Sequence, residues 1–398
     1  MYIPKLDEFK PFSLSRLLST CFGSSDKKLK PCILIDLHDP SKIQNYEFLN
    51  SGNYSVQKHA VESFLKPLND GVGEELNYET CSFFAYKTTG GSNLDPENSL
   101  VSQEGDVIDF ERDLCPNFDL IFAISDFSLT APLTAMAKRH GFRGATLHGV
   151  NDIILNSGLS VDYNKISRQS ELYRQTLDHA DAFELHFNCL GNDYTLRIDC
   201  AGQTAQKSHG LCPPGVPDVA NLPAGEVYFV PTSASGSFPF RFADGTLCEM
   251  SVADGAITRA NFLSGNESLV TARNTQLAED PATGIIGELG FGTQILPFSG
   301  KDIQDEKILG TCHVATGRSD HLGGNLTPDL FNSRQNASHD DILYAPPKTP
   351  EITVSKVCMH KNSDEQLIME DFSPSEFLLE NLAEEYPTDL LSKHALAQ

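Results

Sequence analysis

Four apolar, strand-like runs of this chain each carry a charged or titratable side chain. They are AGEVYFVP with Glu226, IIGELGFGT with Glu288, DEKILGTCHVATG with Glu306 and His313, and SHDDILY with His339 and Asp341. A carboxylate in such a run must face water, a partner of opposite charge or a cation, because burying it unpaired is prohibitive. Each run alone also has a plain reading: Glu226 as a rim residue at a strand end, His313 as a satisfied core histidine, His339 and Asp341 as a surface turn. Side chains of a strand alternate between its faces, so His339 and Asp341 share one face and Asp340 points away.

These runs lie in the second half of the chain, whose texture differs from that of the first. The first half alternates short apolar runs, PCILIDLHD (31–39), TCSFFAYKT (80–88) and NFDLIFAIS (117–125), with amphipathic ones such as 54–68 and SLTAPLTAMAKRHG (128–141), where Gly141 is a helix stop. Strand, helix, strand, helix predicts a parallel α/β layer covered on both faces. Residues 162–182 have a nearly helical apolar spacing and link the halves. From AFELHFNC onward, alternating runs punctuated by Ala-Asp-Gly and Ser-Gly signal antiparallel hairpins. We therefore expect an α/β N-terminal domain with a parallel sheet over 1–185. An α+β C-terminal domain rich in antiparallel strands follows over 186–398. Residues 201–224 read as an ordered loop, and 364–390 as an acidic, partly helical tail with a solvated face.

At 398 residues the chain is long enough for two cores. Thirty Lys and Arg against 54 Asp and Glu give a formal charge of −24, which repels phosphate backbones and anionic membrane surfaces. Nucleic acid and membranes are thus not expected partners. Ten scattered cysteines without a C-x-x-C suit a reducing compartment, and MYIPKLDEFKPF carries no apolar leader core, so a cytoplasmic location is expected.

Taken in order, the runs supply what a pair of divalent cations requires: a bridging carboxylate between ions about 3.5–4 Å apart, with imidazoles and further carboxylates completing each shell. The series GEVYFVP, GELGFGTQ, DEKILGTCHVATG and SHDDILY resembles the metal-dependent aminopeptidases of the aminopeptidase T, or thermophilic leucyl aminopeptidase, type, over about residues 220–345. The resemblance implies a two-domain homodimer whose C-terminal part binds two cations, zinc, cobalt or manganese, and cleaves the N-terminal bond of a small peptide or amino-acid amide. It implies Glu226, Glu288, Glu306, His313, His339 and Asp341 as ligands, with Glu288 as the bridge and Glu288 or Glu306 as the proton shuttle.

Two departures qualify it. Glu306 stands two residues farther from His313 than the pattern asks. The family's tyrosine after that histidine is absent from RSDHLGGN, where His321 is the candidate substitute as hydrogen-bond donor. The same fold resembles a ring-cleaving dioxygenase that acts on a dihydroxypyridine with one iron, and His313, His339 and Asp341 can form such a triad alone. A catalytically silent metal-binding member is the third reading.

Overall fold

The computed structural model describes residues 2–386. The chain divides into two compact units, one built from Lys5–Ser167 and His209–Ala224, the other mainly from residues 168–208 and 225 onward. Residue 185, near which the change of texture was placed, lies within the strand Ala182–Cys189.

The first unit holds a seven-stranded sheet in the order Val219–Asn221, Arg143–Thr146, Leu120–Ala123, Pro31–Leu37, Ser82–Lys87, Ser99–Ser102, Val107–Asp109. The first five run parallel and the last two close the edge antiparallel. Pro31–Leu37 is buried at every position, as the unbroken apolar run required. Helix Thr130–His140 ends on Gly141, whose left-handed backbone (φ +86°) terminates it. The 201–224 stretch differs from the expected loop. It carries the strands Gln206–Ser208 and Val219–Asn221, and the latter pairs in parallel with Arg143–Thr146. Three-residue strands are too short to show alternation, and the intervening Pro213-Pro214-Gly215 reads as turn.

The second unit contains two antiparallel sheets. An eight-stranded sheet runs in the order Ala256–Ser264, Leu247–Ala253, Ser233–Arg241, Asn192–Asp199, Ala182–Cys189, Ile352–Lys361, Asp364–Glu370, Ser373–Pro374. A five-stranded sheet runs in the order His339–Tyr344, Cys312–Gly317, Ile286–Gly292, Glu226–Phe229, Gln206–Ser208. One apolar core joins them, with Phe183 against Phe229 and Phe291 (ring centroids 5.2 and 5.4 Å) and Phe187 against Tyr344 (4.7 Å). The acidic tail begins as the strand Asp364–Glu370 and continues as helix Glu376–Leu382, which buries Leu378 and Leu382. Residues 387–390 of that tail lie outside the described residues.

All ten cysteines are buried free thiols. Among the described residues no helix is long and apolar enough to cross a membrane.

Candidate metal centre

The five-stranded sheet has two chemically opposite faces. Val227, Phe229, Leu289, Phe291, Cys312, Val314 and Tyr344 point into the shared core. By alternation the other face receives Glu226, Glu288, His313, His339 and Asp341. Residues opposite each other on neighbouring strands stand only about 4.5–5.5 Å apart at Cβ, so bulky partners would fill the space between charged groups. Each of these five has a glycine or alanine opposite it on at least one neighbouring strand. Glu226 faces Gly292, Glu288 and Asp341 both face Ala315, His313 faces Gly290, and His339 faces Gly317. At Gly290 the fit is absolute, since a Cβ there would lie 2.1 Å from Cε1 of the His313 ring.

Glu288 is the hub. Its Oε1 lies 3.5 Å from Nε2 of His313, and its Oε2 lies 2.9 Å from Nε2 of His339, which is also 3.3 Å from Oδ1 of Asp341. On the first side Nε2 of His313 is 3.9 Å from Oε2 of Glu226. Two groups of donor atoms therefore gather within 4.8 Å, Glu226/Glu288/His313 and Glu288/His339/Asp341, and each could hold a metal ion. Ligand atoms about 2.0–2.2 Å from one ion sit about 3.4 Å apart at tetrahedral angles, close to the separations found here.

The donor set itself asks for a cation. Nδ1–H of His339 donates to the Arg318 carbonyl at 2.6 Å. In the neutral ring Nε2 is then a bare lone pair facing two carboxylate oxygens. Only a second proton or a metal ion reconciles three acceptors. In the metal-free cluster burial opposes a charged ring, but Asp341 and Glu288 overcome it and hold His339 well above its ordinary pKa. Burial likewise opposes ionisation of Glu288, yet the two imidazoles hold it at about 2.

Glu306 belongs to neither group of ligands. It caps the short helix Asp302–Asp305, and its Oε1 takes the Lys307 ammonium at 2.5 Å. Burial, partly offset by Lys307 and reinforced by Asp341 and Glu226, raises its pKa to about 8. Lys307 is fully buried, and its Nζ also lies 2.6 Å from Oε2 of Glu226. His321 sits edge-on to His339 with ring centroids 5.0 Å apart, and burial lowers its pKa to about 3, so its ring stays neutral. Asp340 points away from the ligands, as alternation requires, and accepts from Ser338 Oγ at 2.6 Å.

Sequence reasoning did not single out Lys307, Arg318 or Gly290. Lys307 and Gly290 stood inside the quoted runs, one beside Glu306 and one two residues past Glu288. Nothing in spacing tells that an ammonium folds back between two glutamates, and a backbone carbonyl such as that of Arg318 leaves no mark on composition.

A cavity of about 490 Å³ adjoins this sheet, walled by Val230, Ile286, Gly287, Ser319, Leu326 and Leu330 among others. Gly287 is chain neighbour to Glu288, and Ser319 to Arg318. No charged side chain lines it.

No family model matches the chain, and no curated protein does. Among solved structures, the chain is similar to 2,5-dihydroxypyridine dioxygenase from Pseudomonas putida KT2440, with TM-score 0.56 and 12% identity over 87% of this chain and 92% of that one. At that identity the likeness shows a shared fold. Wild-type AmpT from Thermus thermophilus aligns with TM-score 0.41 and 12% identity over 90% of this chain and 97% of that one.

Proposed function

We propose that the chain is a metal-dependent hydrolase that cleaves an amide bond at the N-terminal end of a small peptide or an amino-acid amide. The observation that carries this reading is the position of Glu288, which offers one oxygen toward each of two imidazoles, with Glu226 on one side and Asp341 on the other. A divalent cation there supplies a Lewis acid that lowers the pKa of water from 15.7 toward about 7 and polarises a carbonyl.

The protein's own groups divide the remaining tasks. Arg318 holds the His339 ring so that Nε2 faces the centre. Glu306, with a carboxyl poised near neutrality, is better suited than the firmly ionised Glu288 to take and return a proton. His321, uncharged beside His339, offers a ring nitrogen where the resemblance leads one to expect a tyrosine hydroxyl.

The test is amine release from leucinamide by metal-loaded and chelator-treated protein. We expect turnover only with metal, and no dioxygen uptake. A second reading, a ring-cleaving oxygenase with one iron, is favoured by Lys307. Lying between Glu226 and Glu306, it offsets one of their two charges and weakens the mutual repulsion that would otherwise call for a second cation. Dioxygen consumption with a dihydroxypyridine, without amide hydrolysis, overturns the hydrolase in favour of this one.

A further inference from the structure

The two ligand groups that meet at Glu288 are built differently. At the second, Nδ1–H of His339 is tied to a backbone carbonyl, which fixes the ring and its tautomer as metal-ligating histidines require. At the first, Nδ1 of His313 is buried and meets no hydrogen-bond partner among the described residues. The carboxylate that makes the first group distinct, Glu226, is already engaged. Its Oε2 lies 2.6 Å from Nζ of Lys307, which reaches Glu306 Oε1 at 2.5 Å on its other side.

We propose that Lys307 is the built-in cation of the first position, so that this chain holds one exchangeable divalent ion, on Glu288, His339 and Asp341, rather than two. The proposal rests on the metal-centre reading above and decides its stoichiometry. The main chain that carries Lys307 is anchored, and its ammonium is held by two carboxylates. The Lys307 carbonyl accepts from the Gln294 N–H at 2.7 Å, Leu309 N–H donates to the Gln294 carbonyl at 2.6 Å, and the Ile308 carbonyl lies against Gly292, where a Cβ would meet it at 2.2 Å. A divalent ion sharing the Glu226 oxygen would stand about 4 Å from the ammonium, where like charges repel strongly in a buried setting. Three protein ligands leave the second position open to substrate, as catalytic sites are.

The experiment counts metal. The full chain is stripped, reloaded with excess zinc or, separately, manganese, desalted and analysed for bound equivalents by elemental analysis. We expect one equivalent for the unaltered chain, one for Lys307→Arg, which keeps the charge, one for Glu226→Gln and two for Lys307→Met. Two equivalents in the unaltered chain overturn the proposal while leaving the metal-centre reading intact. So does a folded Lys307→Met that still takes one, or a Glu226→Gln that takes none. Should Lys307→Met fail to fold, the unaltered chain, Lys307→Arg and Glu226→Gln decide by themselves. No bound ion in the unaltered chain overturns the metal-centre reading, and this proposal with it.

Discussion

Two carboxylates, Asp36 and Glu288, lie in fully buried strands of different sheets, and they are satisfied in opposite ways. Asp36, in Pro31–Leu37 of the parallel sheet, takes only neutral donors: the Asp126 N–H at 3.0 Å, Gln57 Nε2 at 2.6 Å and Thr88 Oγ1 at 3.2 Å. Burial still raises its pKa, with those donors opposing the rise. Glu288 is surrounded by imidazoles and further carboxylates, several of which present lone pairs to one another. A buried acid is therefore no sign of a metal in itself. The sign is a set of acceptors that cannot satisfy each other.

This contrast predicts that cation and fold are coupled at one site and independent at the other. The largest effect is expected at His339→Ala, measured by chemical denaturation with and without zinc. An ion present at 100 times its Kd stabilises the unaltered protein by about 2.7 kcal/mol, and the variant should lose that increment together with metal-dependent turnover. Retention of the full increment would break the comparison at its stronger end. Next come two glycines that each admit no Cβ. Gly290→Ala drives a carbon into the His313 ring, and Gly144→Ala drives one to 2.2 Å from the Ile121 carbonyl of the parallel sheet. Each should destabilise by about 1–3 kcal/mol, but only Gly290→Ala should also alter the cation titration. Asp36→Asn, which turns a donor toward donors, should lose about 1–3 kcal/mol, equally in zinc and in chelator. A zinc-dependent loss there would mean that Asp36 communicates with the centre. The smallest effect is Thr88→Val, about 1 kcal/mol from one hydrogen bond, again blind to metal.

Where one physical rule acts over several consecutive residues, the sequence was a good guide. The unbroken apolar runs at 31–39 and 80–88 became parallel strands because both faces of such strands are covered. The alternation in AFELHFNC and TLCEMSVA became antiparallel ones. It was a poor guide to Gln206–Ser208 and Val219–Asn221, whose three residues are held by sheet partners distant in the chain. The candidate ligands stood out because each is a charge in an apolar run. Their glycine and alanine neighbours across the strands did not, since the register that pairs Gly290 with His313 or Ala315 with Asp341 is set by the whole sheet. Lys307 is the clearest case. In D-E-K it reads as an ordinary turn residue, and only the backbone anchored at Gln294 turns its ammonium inward.

An ammonium fastened to the main chain has no dissociation constant. Dilution, chelators and a scarcity of transition metals all leave Lys307 between Glu226 and Glu306. On the single-ion proposal that half of the cluster needs no metal, so recharging the protein would take one encounter with one ion rather than the ordered loading of a pair.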